Sequence, residues 1–123
     1  MTPTPIRIHR RRVRWEAGRL EAPWCSITQL VYVHPGKESV FDEFEALAIP
    51  LIAKHGGDLL LRVRPNPESV IAGSMDRPYE IHLVGFPSDE AFACFASDEQ
   101  RKRFLHLKND AVRSSLLVRG TAA

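Results

Sequence analysis

The chain has 123 residues, 44% of them hydrophobic and 26% charged, which is typical of one soluble globular domain. No apolar run approaches the roughly 20 residues of a membrane-spanning helix, and no apolar core of a secretory signal is present. We therefore expect a cytoplasmic protein that does not bind a membrane. The net charge of +2 divides into +4 on residues 1–25 and −2 on the remainder, which argues against a dedicated nucleic-acid-binding domain.

Residues 1–25 contain six arginines and two glutamates, and we interpret this segment as a basic arm attached to the main domain. Its arginines and Trp15 have the chemistry for contacts with phosphates and a stacked base. The alternatives are a solvated tail and an edge strand that clamps a partner subunit. We expect the folded domain itself to cover residues 26–120.

The domain is predicted to begin with a strand and a helix. Residues 26–34 are rich in β-branched and aromatic side chains and end at Pro35-Gly36, which predicts a strand followed by a turn. Between residues 38 and 55, apolar side chains recur at helical spacing. Gly56-Gly57 then predicts the end of the helix, because glycine accepts the left-handed conformation without a steric cost.

Alternating side chains predict two more strands, residues 58–64 and 79–86, joined by a long loop of residues 65–78. One face of these strands carries Leu59, Leu61, Val63, Tyr79, Ile81 and Leu83. The opposite face carries Leu60, Arg62, Arg64, Glu80, His82 and Val84. We expect the helices to cover the first face and to leave the second one open.

A second helical region, residues 88–112, is predicted to be broken at Ser97, with Ser88 and Ser97 as the N-caps of its two parts. Residues 115–120 predict a short last strand. The order β-α-β-β-α-β predicts an α+β protein with the ferredoxin-like βαββαβ fold. Its four-stranded antiparallel sheet would carry both helical regions on one face.

The open face of this sheet is predicted to be too apolar to remain in contact with water. A second copy of the chain is the simplest cover for such a surface. We therefore expect a homodimer in which two sheets pack together as a dimeric α+β barrel.

Two segments resemble a known family. They are PLIAKHGGDLLLR, residues 50–62, and IHLVGFPSDEAFACFASDEQRKRF, residues 81–104. Together with Gly120, they are similar to domain-of-unknown-function family 1330 of the dimeric α+β barrel superfamily, although Asp98 and Gln100 stand where that family usually has Pro and Tyr. The resemblance covers about residues 26–120 and implies a homodimer. The wider superfamily includes cofactor-free oxygenases, isomerases and haem proteins.

Four side chains are candidates for function. His55 at a helix C-terminus could exchange a proton with a ligand, or serve only as a C-capping residue. Arg62 and His82 could hold a carboxylate or enolate while His82 moves a proton. The alternative for this pair is a ladder of ion pairs at the dimer interface. Tyr32 is a further ligand-binding candidate, or else a core aromatic residue.

Cys25 and Cys94 lack metal-site spacing and are interpreted as reduced thiols, and no histidine pair or glycine-rich phosphate loop is present. We therefore expect neither a metal nor a cofactor. The sequence favours a homodimer that binds a small organic molecule, with cofactor-independent oxygenase or isomerase chemistry on a carbonyl or phenolic compound. The alternative is a non-catalytic dimeric interaction module that uses the basic arm and the loop of residues 65–78.

Overall fold

The computed structural model describes residues 24–121, so the predicted basic arm lies outside the described residues except for its last two positions. The elements in this range are β1 (Cys25–Val33), α1 (Glu38–Lys54), β2 (Asp58–Val63), β3 (Glu80–Phe86), α2 (Asp89–Ala96), α3 (Glu99–Arg103), α4 (Leu105–Ala111) and β4 (Val112–Thr121). None of these helices combines the length and the hydropathy needed to cross a lipid bilayer.

The four strands form one antiparallel sheet in the order β2-β3-β1-β4. The helices pack on one face of it, where the core consists of two clusters of buried side chains. One cluster contains Cys25, Ile27, Ile52, Val84 and Phe86, and the other contains Val31, Phe41, Phe44, Ala48 and Ala111. The predicted ferredoxin-like fold is confirmed, with β4 starting three residues earlier than expected.

The helices cover the face of the sheet that was predicted to be open. Leu59 packs in the core, but an irregularity between Leu59 and Leu61 adds one residue to β2 and inverts the alternation beyond it. Leu61 therefore turns away from the helices, while Arg62 turns towards them and binds Glu80. Glu80 and His82 are buried beneath α1, so their predicted placement on the open face is wrong.

No helix within residues 24–121 covers the opposite face of the sheet, and that face is apolar. Its exposed aliphatic side chains include Leu61, Val63, Leu116 and Val118, each between 39% and 54% exposed. Because aliphatic side chains stand on both edge strands, the apolar surface extends across the full width of the sheet.

The second helical region differs from its prediction in two respects: a further break at Phe104 divides its second part into α3 and α4, and the N-cap of α3 is a different residue. Ser88 caps α2 as expected, its Oγ accepting a backbone N–H at 3.0 Å. Asp98, and not Ser97, caps α3: its Oδ1 accepts the N–H groups of Gln100 and Arg101 at 2.7 and 3.3 Å. An ionised carboxylate is a stronger acceptor than a hydroxyl group, which favours Asp98 at this position.

Candidate functional site

A cavity of about 120 Å³ lies between the sheet and the helices. Its wall is largely aliphatic and aromatic. Its polar lining includes Gln29 on β1, Glu45 on α1, His82 on β3, Arg101 on α3 and Lys108 on α4. An apolar pocket with a few converging polar groups is the usual form of a small-molecule site. Since an apolar cavity of about 150 Å³ accepts benzene, this one suits a compound of roughly one ring.

Three buried side chains meet at the sheet side of the cavity. His82 Nε2 is hydrogen-bonded to Glu80, and the Oε2 of Glu45 lies 3.7 Å from the same nitrogen. Glu45, Glu80 and His82 are each at most 7% exposed. Water therefore contributes little to the solvation of these groups, and their charges depend on one another.

Glu80 is held in its ionised form. Arg62 Nε donates to one carboxylate oxygen at 2.9 Å, and Arg64 Nε donates to the other at 2.8 Å. Burial opposes ionisation of Glu80, but the hydrogen bonds from His82, Arg62 and Arg64 outweigh it and lower the pKa from 4.5 to about 2. The predicted association of Arg62 with His82 therefore takes place through Glu80.

The pKa of Glu45 is shifted in the opposite direction. Burial raises the pKa of Glu45 above its usual value of 4.5, and the electrostatic interaction with His82 only partly offsets that rise. Glu45 was not among the candidate residues predicted from the sequence. The sequence does contain a signal for its burial, because Glu45 lies on the apolar stripe of α1, four residues after Phe41 and next to Phe44. A carboxylate at such a position must be buried when the stripe packs against the sheet.

The same three residues have the donor atoms of a cation site, since one donor atom from each of Glu45, Glu80 and His82 lies within 4.8 Å of the others. Both oxygens of Glu80 already accept a guanidinium N–H, from Arg62 and Arg64. These two positive charges oppose a metal ion at the same carboxylate. The donor set therefore fits proton transfer better than metal binding.

Two cations border the cavity on its helical side. The guanidinium group of Arg101 lies over the rings of Phe95 and Phe44, 5.1 and 5.8 Å from their centroids. Lys108 on α4 lines the same cavity. Within residues 24–121, neither cation forms a salt bridge with an acidic group, and neither was selected from the sequence. The two residues are seven positions apart, but a helix break lies between them. Helical spacing in the sequence therefore does not predict that they face the same cavity.

His55 is placed outside the cavity lining. Its backbone caps the C-terminus of α1, while its Nε2 lies 2.7 Å from Asp98 Oδ2, which also accepts a hydrogen bond from Lys54 at 2.8 Å. The hydrogen bonds from Lys54 and His55 hold the pKa of Asp98 well below its usual range. His55 thus connects the end of α1 to the start of α3, the helix that carries Arg101.

Tyr32 lies in a separate surface groove of about 400 Å³ beside the loop of residues 65–78. Its hydroxyl group donates to the backbone oxygen of Asp76 at 2.8 Å, and the guanidinium group of Arg113 lies 5.1 Å from the centre of its ring. Arg113 also contacts the carboxylate of Asp76 at 3.3 Å. The structure therefore brings together His82 and, through Glu80, Arg62, but separates both from His55 and Tyr32.

Comparison with known proteins identifies the fold. The chain matches no protein-family model, and no curated protein is significantly similar to it. A protein of unknown function from Rhodopseudomonas palustris superposes with a TM-score of 0.70 over 86% of both chains, at 16% sequence identity. The chain shares its fold. At this identity the similarity establishes nothing beyond the fold.

Two further structures have the same architecture. A dimeric ferredoxin-like protein of unknown function from Bacteroides fragilis has a TM-score of 0.60 at 12% identity, covering 80% of this chain and 95% of that one. The cofactor-independent oxygenase SnoaB from Streptomyces nogalater has a TM-score of 0.61 at 12% identity, covering 83% of this chain and 95% of that one. Proteins of unknown function and an enzyme thus share this fold, so function must be argued from the cavity.

Proposed function

We propose that this protein binds a carbonyl or phenolic compound of roughly one ring in the cavity and catalyses cofactor-independent proton transfer on it. The observation that carries the proposal is the buried series Glu45, His82 and Glu80 at the wall of an apolar cavity. Two carboxyl groups whose pKa values are shifted in opposite directions are a typical feature of acid–base sites.

His82 is the general base of this proposal. Because Glu80 is ionised, it favours the tautomer in which His82 Nε2 carries the proton and donates it towards the carboxylate. The lone pair of the neutral ring is then on Nδ1, which accepts a proton from the substrate. Glu80 acts as a positioning residue, and Arg62 and Arg64 keep it ionised.

Glu45 supplies the complementary acid. Its raised pKa favours the neutral carboxylic acid, which donates a hydrogen bond to the oxygen of the substrate as negative charge develops there. Proton abstraction breaks a C–H bond next to the carbonyl group, and the electron pair moves to oxygen as an enolate. Where a C=C bond is adjacent, the enolate is a conjugated dienolate, and return of the proton to its γ-carbon shifts the C=C bond and completes an isomerisation. An oxygenase reaction would use the same carbanion, with molecular oxygen as oxidant and co-substrate.

We also propose that the working unit is a cytoplasmic homodimer of the domain of residues 26–120, with the basic arm attached. The uncovered apolar face of the sheet supports a sheet-to-sheet dimer. Structures of the same fold from Bacteroides fragilis and Jannaschia sp. are those of dimeric proteins. The motifs in residues 50–62 and 81–104 support membership of domain-of-unknown-function family 1330.

A second candidate function is a non-catalytic interaction module. The loop of residues 65–78 favours it, because Ile71 is 95% exposed and Met75 is 55% exposed. Such apolar side chains at a loop tip are available to a partner. In that case the chemistry of the cavity would be irrelevant to function.

The proton-transfer proposal is tested with cyclohexanone, a neutral one-ring ketone, in D₂O. Exchange of its α-protons, followed by NMR, should be faster with the full chain than in buffer. His82→Asn removes the base while keeping a polar side chain, and should reduce the protein-dependent rate by roughly 10²–10⁴-fold. Glu45→Gln should also reduce it, because an amide is a weaker acid.

Two control variants test whether the proton exchange takes place in the cavity and depends on His82. His106 is exposed on α4, so His106→Asn should leave the exchange rate unchanged. Ala96 lines the cavity but is exposed, so Ala96→Phe should block entry without a large cost in stability. An exchange rate that survives both His82→Asn and Ala96→Phe would contradict the proposal and favour the interaction module.

A further inference from the structure

The helical side of the cavity carries two cations that form no salt bridge with any acidic side chain of residues 24–121. Arg101 and Lys108 both line the cavity, and among the residues that the structure describes Glu45 is the one acidic residue that lines it with them. Glu45 forms no salt bridge with either cation, and its single carboxyl group faces two positive charges. This end of the cavity therefore presents a positive electrostatic potential to a bound molecule.

Arg101 has an unused hydrogen-bond donor. One terminal nitrogen of its guanidinium group donates to the backbone oxygen of Ala96 at 3.3 Å. Its Nε atom is buried and has no hydrogen-bond partner within the described part of the chain. A buried donor without an acceptor is costly, and an acceptor supplied by a ligand removes that cost. The rings of Phe44 and Phe95 hold the guanidinium group in place for this contact.

Lys108 adds a second cation to the same region. Burial, together with the nearby charge of Arg101, lowers the pKa of Lys108, while the charge of Glu45 acts in the opposite direction. Burial likewise lowers the pKa of Arg101, again opposed by Glu45. Two cations that disfavour each other in a poorly solvated cavity are stabilised by an anion placed between them.

We infer that Arg101 and Lys108 form an anion-binding subsite of the cavity, and that the ligand is a carbonyl or phenolic compound of one ring that carries a carboxylate. This inference rests on the proposed function and assigns its substrate class. A carboxylate suits the planar guanidinium group, which can donate two parallel hydrogen bonds to it, with Lys108 as a point charge alongside. The carboxylate would lie on the helical side, with the reacting carbon towards His82.

Three probes with the same ring but different charge test the subsite: benzoate, benzamide and benzylamine. Their affinities for the full chain are measured by isothermal titration calorimetry. Benzoate should bind at least about tenfold more tightly than neutral benzamide, and benzylamine should bind most weakly of the three. The preference for benzoate should decrease as salt is added, because part of it is electrostatic.

Variants of the two cations assign the preference to named side chains. Arg101→Met and Lys108→Met should each weaken benzoate by about tenfold while leaving the affinity for benzamide unchanged. Unchanged benzamide binding also reports that the cavity is still folded. Arg103 is exposed on the same helix as Arg101, so Arg103→Met is the matched control and should alter neither affinity.

The possible results separate this inference from the proposed function. Equal affinities for benzoate and benzamide, or a benzoate preference that survives both substitutions, would overturn the anion subsite. The exchange of cyclohexanone protons would still report independently on the neutral proton-transfer site. If neither benzoate nor benzamide binds and cyclohexanone exchange is also absent, the cavity is not a ligand site and both proposals are wrong.

Discussion

Glu80 has no solvent-exposed surface, yet it is ionised, because His82, Arg62 and Arg64 all bind its carboxylate. A buried charge is tolerated only when such partners replace water. The arrangement also fixes the orientation of His82, which the proposed chemistry requires. At the scale of single residues, Glu80 therefore links the stability of the fold to the function proposed for the cavity.

We predict that Glu80→Gln lowers the free energy of unfolding at pH 7 by about 3 kcal/mol, because it leaves the guanidinium groups of Arg62 and Arg64 without this counter-charge and weakens the hydrogen bond from His82. The pKa of Glu80 is lowered on folding, so its contribution is complete above pH 4.5 and is lost as the pH falls towards 2. Urea denaturation between pH 7 and pH 3 should show a smaller acid-induced loss for Glu80→Gln than for the natural chain.

Glu43 provides the matched control for this experiment, since it is exposed on the same helix that carries Glu45. Glu43→Gln should follow the natural chain at every pH. Asp98 also has a lowered pKa, and it remains present in both proteins. An identical acid-induced loss in Glu80→Gln and in the natural chain would contradict the role assigned to Glu80.

At the scale of secondary-structure elements, the junction between α1 and β2 brings the backbone into close contact with the core. Gly56 has a φ of +78°, as predicted for a residue that ends a helix. Gly57 is required for a different reason. A Cβ atom there would lie 2.7 Å from Phe86 Cε1 and 2.9 Å from Ile52 Cγ2, and both side chains are buried. The backbone can approach the core this closely only without a side chain.

We predict that Gly57→Ala lowers the free energy of unfolding by about 1–3 kcal/mol, because the buried side chains of Phe86 and Ile52 would have to leave their packed positions to admit the Cβ atom. Phe86 also lines the cavity, so ligand binding should weaken as well. Gly120→Ala is the control: its nearest neighbour would be Ser26 Oγ at 3.4 Å. That variant should remain within about 0.5 kcal/mol of the natural chain. Equal stability of the two variants would contradict the steric argument.

At the scale of the whole molecule, one face of the sheet supports the helices and the cavity, while the other presents aliphatic side chains that nothing in residues 24–121 buries. A monomer would expose this surface to water at a cost that increases with its area. Packing against a second copy of the same face removes that cost for both subunits. The proposed dimer therefore uses the face opposite to the cavity.

We predict that Leu116→Glu converts the dimer into a monomer, because it places a charge in the apolar interface. Leu47→Glu should leave the dimer intact, since Leu47 is on α1 and is similarly exposed, 43% against 46%. Light scattering at micromolar concentration measures the mass directly. A natural chain that has the 13.9 kDa mass of one copy would contradict the dimer.

The sequence predicted the fold and its elements, because β-branched runs, helical spacing and the Gly56-Gly57 pair are local signals. It also grouped Arg62, Glu80 and His82 on one face, as the structure does. It could not predict which face the helices cover, because both faces of β2 and β3 contain apolar residues and the bulge at β2 leaves no clear local signal.

The cavity itself was decided by tertiary structure. Glu45, Arg101 and Lys108 come from three helices and meet His82 only after those helices pack on the sheet. Local patterns report which side chains share a face of one element, whereas a site assembled from distant segments depends on how the elements pack. The sequence alone therefore determined the order and type of the elements, and packing determined which of their charged groups are buried together.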